Sequence, residues 1–304
     1  MSNYRLQHPV STIDNKLLLD SGTTLSSEAM ESLISECKSL LVTDSMLKYR
    51  DLKQDILSFL KHGPYQTIFA NPEKRSEIIK IMEGANLPLP VLESIYYFKR
   101  YDSYTYRHIL MVFALSTLLS KMLITDKMDM VQEVIAGPTH DIGKTCVPLE
   151  VLLKKDPLTT KERNMLEHHS LAGYVLLSYY FQDVQNHSAR VARDHHERKD
   201  GSGYPSGIRL NDPLVDIIMI TDIYDALISQ RPYRSAPYDN RTALEEITKM
   251  VNENKVNMET VQALIAVNRS GGKHYSDCII SQEKRGTAPV ENNYGIIDDE
   301  GKAD

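Results

Sequence analysis

The sequence has few cysteines and no hydrophobic run long enough for a membrane span. Its three cysteines, Cys37, Cys146 and Cys278, are far apart and form no CxxC pair. A structural zinc site made of thiolates is therefore not expected, and the pattern is typical of a reducing compartment. The longest apolar run, from Ile109 to Ile124, contains serine, threonine and lysine and is too short and too polar to cross a bilayer.

We also expect no secretory signal, and the sequence has no excess of positive charge. Its first ten residues, MSNYRLQHPV, have no basic start followed by an apolar stretch, so we expect a cytoplasmic protein. The net charge of -6 argues against a broad face for long nucleic acids, which requires clustered basic residues. A small anionic ligand remains compatible with this charge, because metal ions and a few Lys or Arg residues set the field inside a pocket.

What is present indicates a mainly α protein with a smaller α/β or α-rich N-terminal domain. The 304 residues are 41% hydrophobic, enough for a sizeable core. Residues 1–90 read as a regulatory or partner-binding domain, with a strand at "LLLD", a helix and a further strand by Val42. The stretch "GANLPLP" is the best linker, because its glycine and prolines discourage helix. Residues 91–275 predict long helices, and residues 276–304 predict a loosely ordered tail.

Several of the ten histidines fall on buried helical stripes, although a lone histidine on such a face is usually a satisfied core residue. His108 shares a face with apolar residues three and four positions away and should point inward. Thr159 and Glu162 form a capping box that starts a helix, and His169 lies on the buried stripe of that helix. His168 falls beside the stripe, so we expect it to be a solvated flanking residue.

The pair His195 and His196 comes at the end of another predicted helix, just before "KDGSGYP". Consecutive side chains on a regular helix point about 100° apart. Unwinding at the helix end would let both imidazoles face one centre. Two carboxylates complete the set: Asp141 follows His140 directly, and Asp222 lies in a strongly apolar helix, where an unpaired carboxylate would be costly.

Together these side chains provide five imidazoles and two carboxylates without sulfur, more than one metal ion ordinarily takes from protein. Two metal ions bridged by one carboxylate would use them all, and mixed nitrogen and oxygen donors suit iron, manganese or zinc. The seven candidate metal ligands are His108, His140, Asp141, His169, His195, His196 and Asp222.

With these residues in their order along the sequence, the chain resembles the HD-GYP proteins, a bacterial branch of the HD-domain metal-dependent phosphohydrolases. The resemblance covers about residues 104–234, a little under half of the chain. It rests on five motifs in the family's order: "YTYRH", "HDIGK", "HHSLAG", "HHERKDGSGYP" and "DIYDAL" followed by "RPYR". It implies a helical HD-type bundle around a metal site, often iron, and hydrolysis of the messenger cyclic di-GMP, with the same seven residues as ligands.

The resemblance further implies contacts with the substrate. Lys144 would lie near the scissile phosphate, and Tyr204 of the Gly203-Tyr204-Pro205 loop could stack or hydrogen-bond there. Gly201 and Gly203 would permit close backbone approach to a ligand, or simply form a turn before Pro205. The residues expected to hold guanine or phosphate are Asp225, Arg231 and Arg234. Without the resemblance, the two arginines would be read as part of a solvated surface loop.

The chain departs from the family pattern at several positions. Tyr104 replaces the glutamate that precedes the first histidine in members with three metals, so we expect two divalent transition-metal ions, with iron favoured over manganese or zinc. Gly137-Pro138-Thr139 replaces apolar residues before His140 and should distort the approach to the ligands. The loop after "GYP" is about two residues shorter than usual.

The sequence therefore predicts a phosphodiesterase that linearises cyclic di-GMP through a binuclear metal-activated hydroxide. Asp141 would bridge the metals and Lys144 would stabilise developing charge or assist the leaving group. One alternative is a catalytically weak receptor that binds cyclic di-GMP and signals to a protein partner through the N-terminal domain or the GYP loop. Another is an HD hydrolase of a different nucleotide.

Overall fold

The regular secondary structure of the described residues is almost entirely helical. The computed structural model describes residues 4–38, 40–269, 274–281, 283–290, 292–293 and 295–298. Over these ranges the only sheet consists of two short antiparallel strands, β1 (Val10–Ser11) and β2 (Leu17–Leu19). The prediction of a mainly α protein is confirmed. Within the same ranges, none of the helices combines the length and hydropathy needed to span a bilayer.

Helices of the first half begin where a short polar side chain or a proline starts them. Asp102 accepts the backbone N–H groups of Tyr104 and Thr105, which begins the long helix α6. Pro90 lies in the first turn of α5, where its missing N–H costs no hydrogen bond. The helices are α1 (Ser27–Ser35), α2 (Leu52–Phe59), α3 (Tyr65–Ile68), α4 (Pro72–Met82), α5 (Leu89–Tyr101), α6 (Ser103–Leu123) and α7 (Lys127–Ala136).

In the second half the predicted capping box is confirmed, since Thr159 and Glu162 each accept the other's backbone N–H. Two 3-10 helices, Gly137–Thr139 and Ile142–Cys146, carry the segment around His140. The α-helices are α8 (Leu149–Leu152), α9 (Thr160–Glu167), α10 (His169–Phe181), α11 (His187–Asp194), α12 (Pro213–Ile228), α13 (Asn240–Asn252) and α14 (Met258–Val267).

Helix α6 forms the centre of the core. Its residues from His108 to Ser120 are all buried, and it packs against α4, α5, α7, α12 and α14. A helix that is apolar on every face is stable only when other helices surround it. One hydrophobic cluster runs from Leu6 to Val267, so the N-terminal segment and the later helices share buried contacts.

The N-terminal segment contains β2 and α1, as predicted, but its described residues form no further strand by Val42. Val42 instead forms an isolated bridge with Pro88, inside the predicted linker. Helices α2 and α4 pack on α6. The boundary at residue 90 stays a prediction.

The C-terminal tail is described only in part, because positions 282, 291, 294 and 299–304 lie outside the described residues. A 3-10 helix, Tyr275–Asp277, lies at its start. Farther along, two isolated bridges, Arg234 with Asn292 and Leu158 with Ile297, join the tail to the helical body.

Candidate metal centre

All seven predicted ligands converge in the core, where they form two adjacent groups. Within each group one donor atom per residue lies within 4.8 Å of every other. Five of the residues are buried, and His196 and Asp222 are partly buried. The first group is Asp141, His169, His195 and His196, and the second is His108, His140 and Asp222.

The carboxylate of Asp141 lies between the two groups. Its Oδ2 is 3.5 Å from Nε2 of His108 and 3.5 Å from Nε2 of His140. Its Oδ1 is 3.4 Å from Nε2 of His169 and 3.8 Å from Nε2 of His195. One oxygen therefore faces each group, which is the arrangement of a bridging carboxylate.

Three of the histidines are oriented by the backbone carbonyl three residues earlier. The Nδ1 to carbonyl oxygen distances are 2.9 Å for His140 and Gly137, 2.5 Å for His169 and Leu166, and 2.9 Å for His195 and Ala192. A ring that donates from Nδ1 keeps its lone pair on Nε2, the atom that faces the centre.

These carbonyls are available because each histidine follows the end of a helix, where the last carbonyls have no partner within the helix. His140 follows the 3-10 helix Gly137–Thr139, and His195 follows α11. His169 begins α10 directly after α9 ends at Glu167, so the single helix predicted across "HHSLAG" is divided at His168. The replacement of apolar residues before His140 leaves that ligand in place.

The end of α11 also accommodates the two consecutive histidines, as the sequence suggested. His196 lies beyond the helix, and its Nε2 is 3.1 Å from Nε2 of His169. The ring of Tyr204 stacks on His196 with centroids 4.5 Å apart and planes 22° from parallel. By contrast, the prediction of a solvated His168 is wrong, because that residue is 6% exposed and packs edge-on against His8.

Two motif glycines allow the ligand-bearing segments to touch backbone to backbone. A Cβ on Gly143 would lie 1.9 Å from the carbonyl oxygen of His169, and one on Gly203 would lie 2.3 Å from that of His196. Of the two alternatives for Gly203, a ligand contact or a turn before Pro205, the structure favours the turn, because the protein's own backbone fills this space. Gly201 has φ +85°, so the turn before Tyr204 itself requires glycine.

The GYP loop is attached to the centre by Glu197, which the sequence reasoning missed. This fully buried carboxylate accepts the backbone N–H groups of Ser206 at 2.7 Å and Ile208 at 3.1 Å. The backbone N–H of Tyr204 donates to the carbonyl of His196 at 3.2 Å. In the sequence, the one signal for this role of Glu197 was its position directly after His195 and His196.

Burial and mutual proximity keep most of the imidazoles neutral. Burial, assisted by His140 and His169, lowers the pKa of His195 to about 3, and burial lowers the pKa of His169 to about 4. Burial alone would raise the pKa of Asp141, but Lys144 and His140 outweigh it and hold the pKa well below its ordinary value. Neutral imidazoles and an ionised carboxylate are the forms that bind metal.

The donor set fits divalent transition metals. The Nε2 atoms of His108 and His140 are buried and have no hydrogen-bond partner among the described residues, and such atoms are costly unless something binds them. Nε2 of His108 lies 2.9 Å from Oδ1 of Asp222 without hydrogen-bond geometry. This is expected when two metal-donor atoms are both directed at the position of one ion. Nitrogen and oxygen donors without sulfur suit iron, manganese or zinc.

A cavity of about 360 Å³ opens beside the centre, and four of the predicted substrate contacts line it. Lys144 Nζ lies 2.5 Å from Asp141 Oδ2. Arg231 and Arg234 are 8% and 5% exposed, so the alternative of a solvated loop is wrong for both. The four lining residues are Lys144, Tyr204, Arg231 and Arg234.

Arg234 and Asp225 have structural partners that the sequence did not predict. Arg234 Nη2 donates to the carbonyls of Ala226, Leu227 and Ser229, each at 2.8 Å, and so closes the end of α12. Asp225 is completely buried and lies 2.5 Å from Nδ1 of His108. The Asp225 carboxylate thus lies behind the imidazole of His108, a candidate metal ligand. It is not among the residues that line the cavity, where contact with guanine or phosphate was expected.

The C-terminal tail also reaches the cavity, which the sequence did not indicate. The backbone N–H of Asn293 donates to Tyr233 at 3.0 Å, and that of Asp298 donates to Leu158 at 3.1 Å. The tail residues along the cavity wall are Asn292, Asn293, Gly295 and Ile296.

Comparison with known proteins gives one family match and several relatives. A model of the HD domain matches residues 99–259. The "Cyclic di-GMP phosphodiesterase" of Thermotoga maritima is 33% identical over 163 residues, which are 53% of this chain and 44% of that protein. The "Cyclic di-GMP phosphodiesterase response regulator RpfG" of Xanthomonas campestris pv. campestris is 44% identical over 104 residues, 34% of this chain and 28% of that protein.

A third relative is named for a different nucleotide. The "3'3'-cGAMP-specific phosphodiesterase 2" of Vibrio cholerae is 31% identical over 127 residues, 41% of this chain and 24% of that protein. The chain therefore spans less than half the length of each of these three relatives.

Proposed function

This chain belongs to the HD domain family and carries the HD-GYP motifs, and we propose that it is a metal-dependent phosphodiesterase that hydrolyses cyclic di-GMP. The observation that carries the proposal is the position of Asp141, with one oxygen toward each group of ligands. In this arrangement His108, His140 and Asp222 would hold one ion, and His169, His195 and His196 would hold a second. Iron is our first expectation, with manganese or zinc as alternatives.

A pair of such ions supplies Lewis-acid charge neutralisation and a nucleophilic water at neutral pH. The protein's own contribution is to fix the ligands and to bind the diester. Lys144 lies next to Asp141 at the cavity, where its ammonium would neutralise charge on the phosphate or the leaving oxygen. The stacked Tyr204 and His196 give the wall an aromatic face for a base.

The cavity favours an anionic ligand despite the acidic chain. Lys144, Arg231 and Arg234 line it, and within the part of the chain that the structure describes Arg231 Nε is buried without a hydrogen-bond partner. An unpartnered buried guanidinium nitrogen is a donor that a phosphate or a guanine carbonyl would satisfy.

The test is hydrolysis of cyclic di-GMP by protein loaded with iron or manganese under anaerobic conditions, together with metal analysis. We expect about two ions per chain and a linear dinucleotide as product, resolved by chromatography. Asp141→Asn serves as the inactive control. Fewer than one ion per chain after reconstitution, or no linear product from fully loaded protein, would contradict the proposal.

A second candidate substrate follows from the relative named for cGAMP. The same loaded protein should be offered cyclic di-GMP, 3'3'-cGAMP and cyclic di-AMP side by side, and the ratio of kcat/KM values identifies the substrate. Tight calorimetric binding of cyclic di-GMP without turnover of any of the three would instead favour a receptor.

A further inference from the structure

His108 is oriented differently from the other candidate ligands. It is the sixth residue of the 21-residue helix α6, far from the last turn, where free carbonyls occur. Among the described residues, no backbone carbonyl accepts a hydrogen bond from its Nδ1. The carboxylate of Asp225, 117 residues away in sequence, takes this place with Oδ2 at 2.5 Å from Nδ1.

Asp225 can hold the ring in place only if its own orientation is fixed. Its side chain is completely buried, and its second oxygen, Oδ1, accepts two hydroxyl groups. Ser229, one turn later on α12, donates at 3.0 Å. The other donor is the phenol of Tyr65, which lies 160 residues away in the N-terminal segment.

We propose that Tyr65 is a positioning residue for the metal ligand His108, acting through Asp225, so that the N-terminal segment completes the metal centre. The inference rests on the proposed function only in requiring that His108 binds a metal ion. Tyr65 precedes the HD domain match at residues 99–259, so the family match does not include this contact.

The surroundings of Tyr65 hold its hydroxyl in one position. Its ring is fully buried, and the guanidinium of Arg107 lies 5.2 Å from the ring centroid. Arg107 Nη1 also donates to Ser229 at 2.6 Å, so the two hydroxyl donors to Asp225 share one neighbour. The side-chain amide of Asn240 donates to the carbonyl of Pro64 at 3.3 Å, which links the start of α3 to α13.

The consequence concerns the first 90 residues, which the sequence suggests are regulatory. A displacement of α3 would withdraw a donor from Asp225 and loosen the ring of His108. Any signal that moves this segment would then change metal affinity at the His108, His140 and Asp222 group, and leave the other group largely unaffected.

Tyr65→Phe tests the inference, because it removes one oxygen and keeps the ring. The full chain is stripped of metal and titrated with Co²⁺ against a chelator, while the visible absorption bands report the coordination of the ion. Loss of a group that directly supports a metal ligand typically weakens affinity by about 10–100-fold. Tyr65 is one hydrogen bond farther away, so we expect roughly 3–10-fold weaker binding of one Co²⁺ and altered bands for that ion.

Tyr174→Phe is the matched control. Tyr174 is also buried, but its hydroxyl donates to the carbonyl of Val184, at 3.3 Å and outside the ligand groups. We expect this variant to bind Co²⁺ as the wild type does. Unchanged affinity and bands in Tyr65→Phe, even with a lowered melting temperature, would mean a purely structural tyrosine and overturn the inference.

Ser229→Ala provides a second variant in case Tyr65→Phe does not fold. It removes the other hydroxyl donor to Oδ1 of Asp225. We expect it to weaken the binding of the same Co²⁺ ion and to alter the absorption bands of that ion. Wild-type affinity and bands in that variant would overturn the inference. Since the measurement needs no turnover, wild type that binds two Co²⁺ without cleaving cyclic di-GMP would refute the proposed function and leave this test standing. Wild type that binds no Co²⁺ would refute both.

Discussion

Gly143 is the position where one added methyl group should do the most damage. It lies in the 3-10 helix after His140 and packs against the start of α10, which carries His169. A Cβ here would sit 1.9 Å from the carbonyl oxygen of His169 and 2.4 Å from the backbone nitrogen of Gly173. Both are backbone atoms, so no side-chain rotation relieves the clash.

The required movement can be worked out from these distances. Real Cβ atoms essentially never approach closer than 3.0 Å, so the two segments must separate by at least about 1.1 Å. Overpacking that ordinary cores absorb costs about 1–3 kcal/mol, and we expect Gly143→Ala to reach or exceed that range. The same movement draws His169 away from Asp141, from which its Nε2 is now 3.4 Å distant.

Urea unfolding of metal-free protein and metal analysis after reconstitution measure the two effects. Gly173→Ala should be milder, because its nearest neighbour is the Cβ of Ala192 at 3.1 Å. Gly84→Ala, whose nearest neighbour is the carbonyl of Ile81 at 3.2 Å and far from the centre, is the control. The reasoning is refuted if Gly143→Ala unfolds at the same urea concentration as the control and retains full metal content.

Three further predictions concern single carboxylates. Asp141→Asn should leave fewer than two ions per chain by metal analysis and lower kcat by roughly 10³-fold or more, since no anionic oxygen would join the two groups; near-normal turnover would contradict the bridging role. Glu197→Ala should release the GYP loop, raising the KM for cyclic di-GMP and speeding proteolysis near Ser206 while metal content stays normal; an unchanged KM would count against it. Burial raises the pKa of Glu133 to about 7, and its only described side-chain contact is Nε2 of His187, at 3.3 Å. Between about pH 4.5 and 7, Glu133 is therefore protonated in the folded state and ionised in the unfolded state. Its contribution to the free energy of unfolding falls as pH rises through this range, by roughly 1.4 kcal/mol per pH unit at most. Glu133→Gln should gain stability over wild type in urea unfolding at pH 8 but not at pH 5; an equal difference at both would contradict the raised pKa.

The sequence by itself was enough to predict the seven candidate ligands that the structure brings together. His108 and His169 were found because a buried helical stripe repeats every three to four residues, and such local periodicity survives in any tertiary arrangement. The pair His195 and His196 was interpretable because helix-ending residues follow it directly. The capping box and the mainly α class were likewise predicted from local sequence patterns, and the structure confirms both.

Only the tertiary structure decided what holds those ligands and what encloses them. The contacts of Asp225 with His108 and Tyr65 join residues more than a hundred positions apart, and no sequence period records such a pairing. The same applies to Gly143, where a Cβ would lie 1.9 Å from the carbonyl oxygen of His169 at the start of α10, and to the tail residues that line the cavity. Residue type and spacing fix which side chains can bind a metal. Which distant side chains orient them depends on how the helices pack, because burial leaves each polar atom only the partners that packing brings within reach.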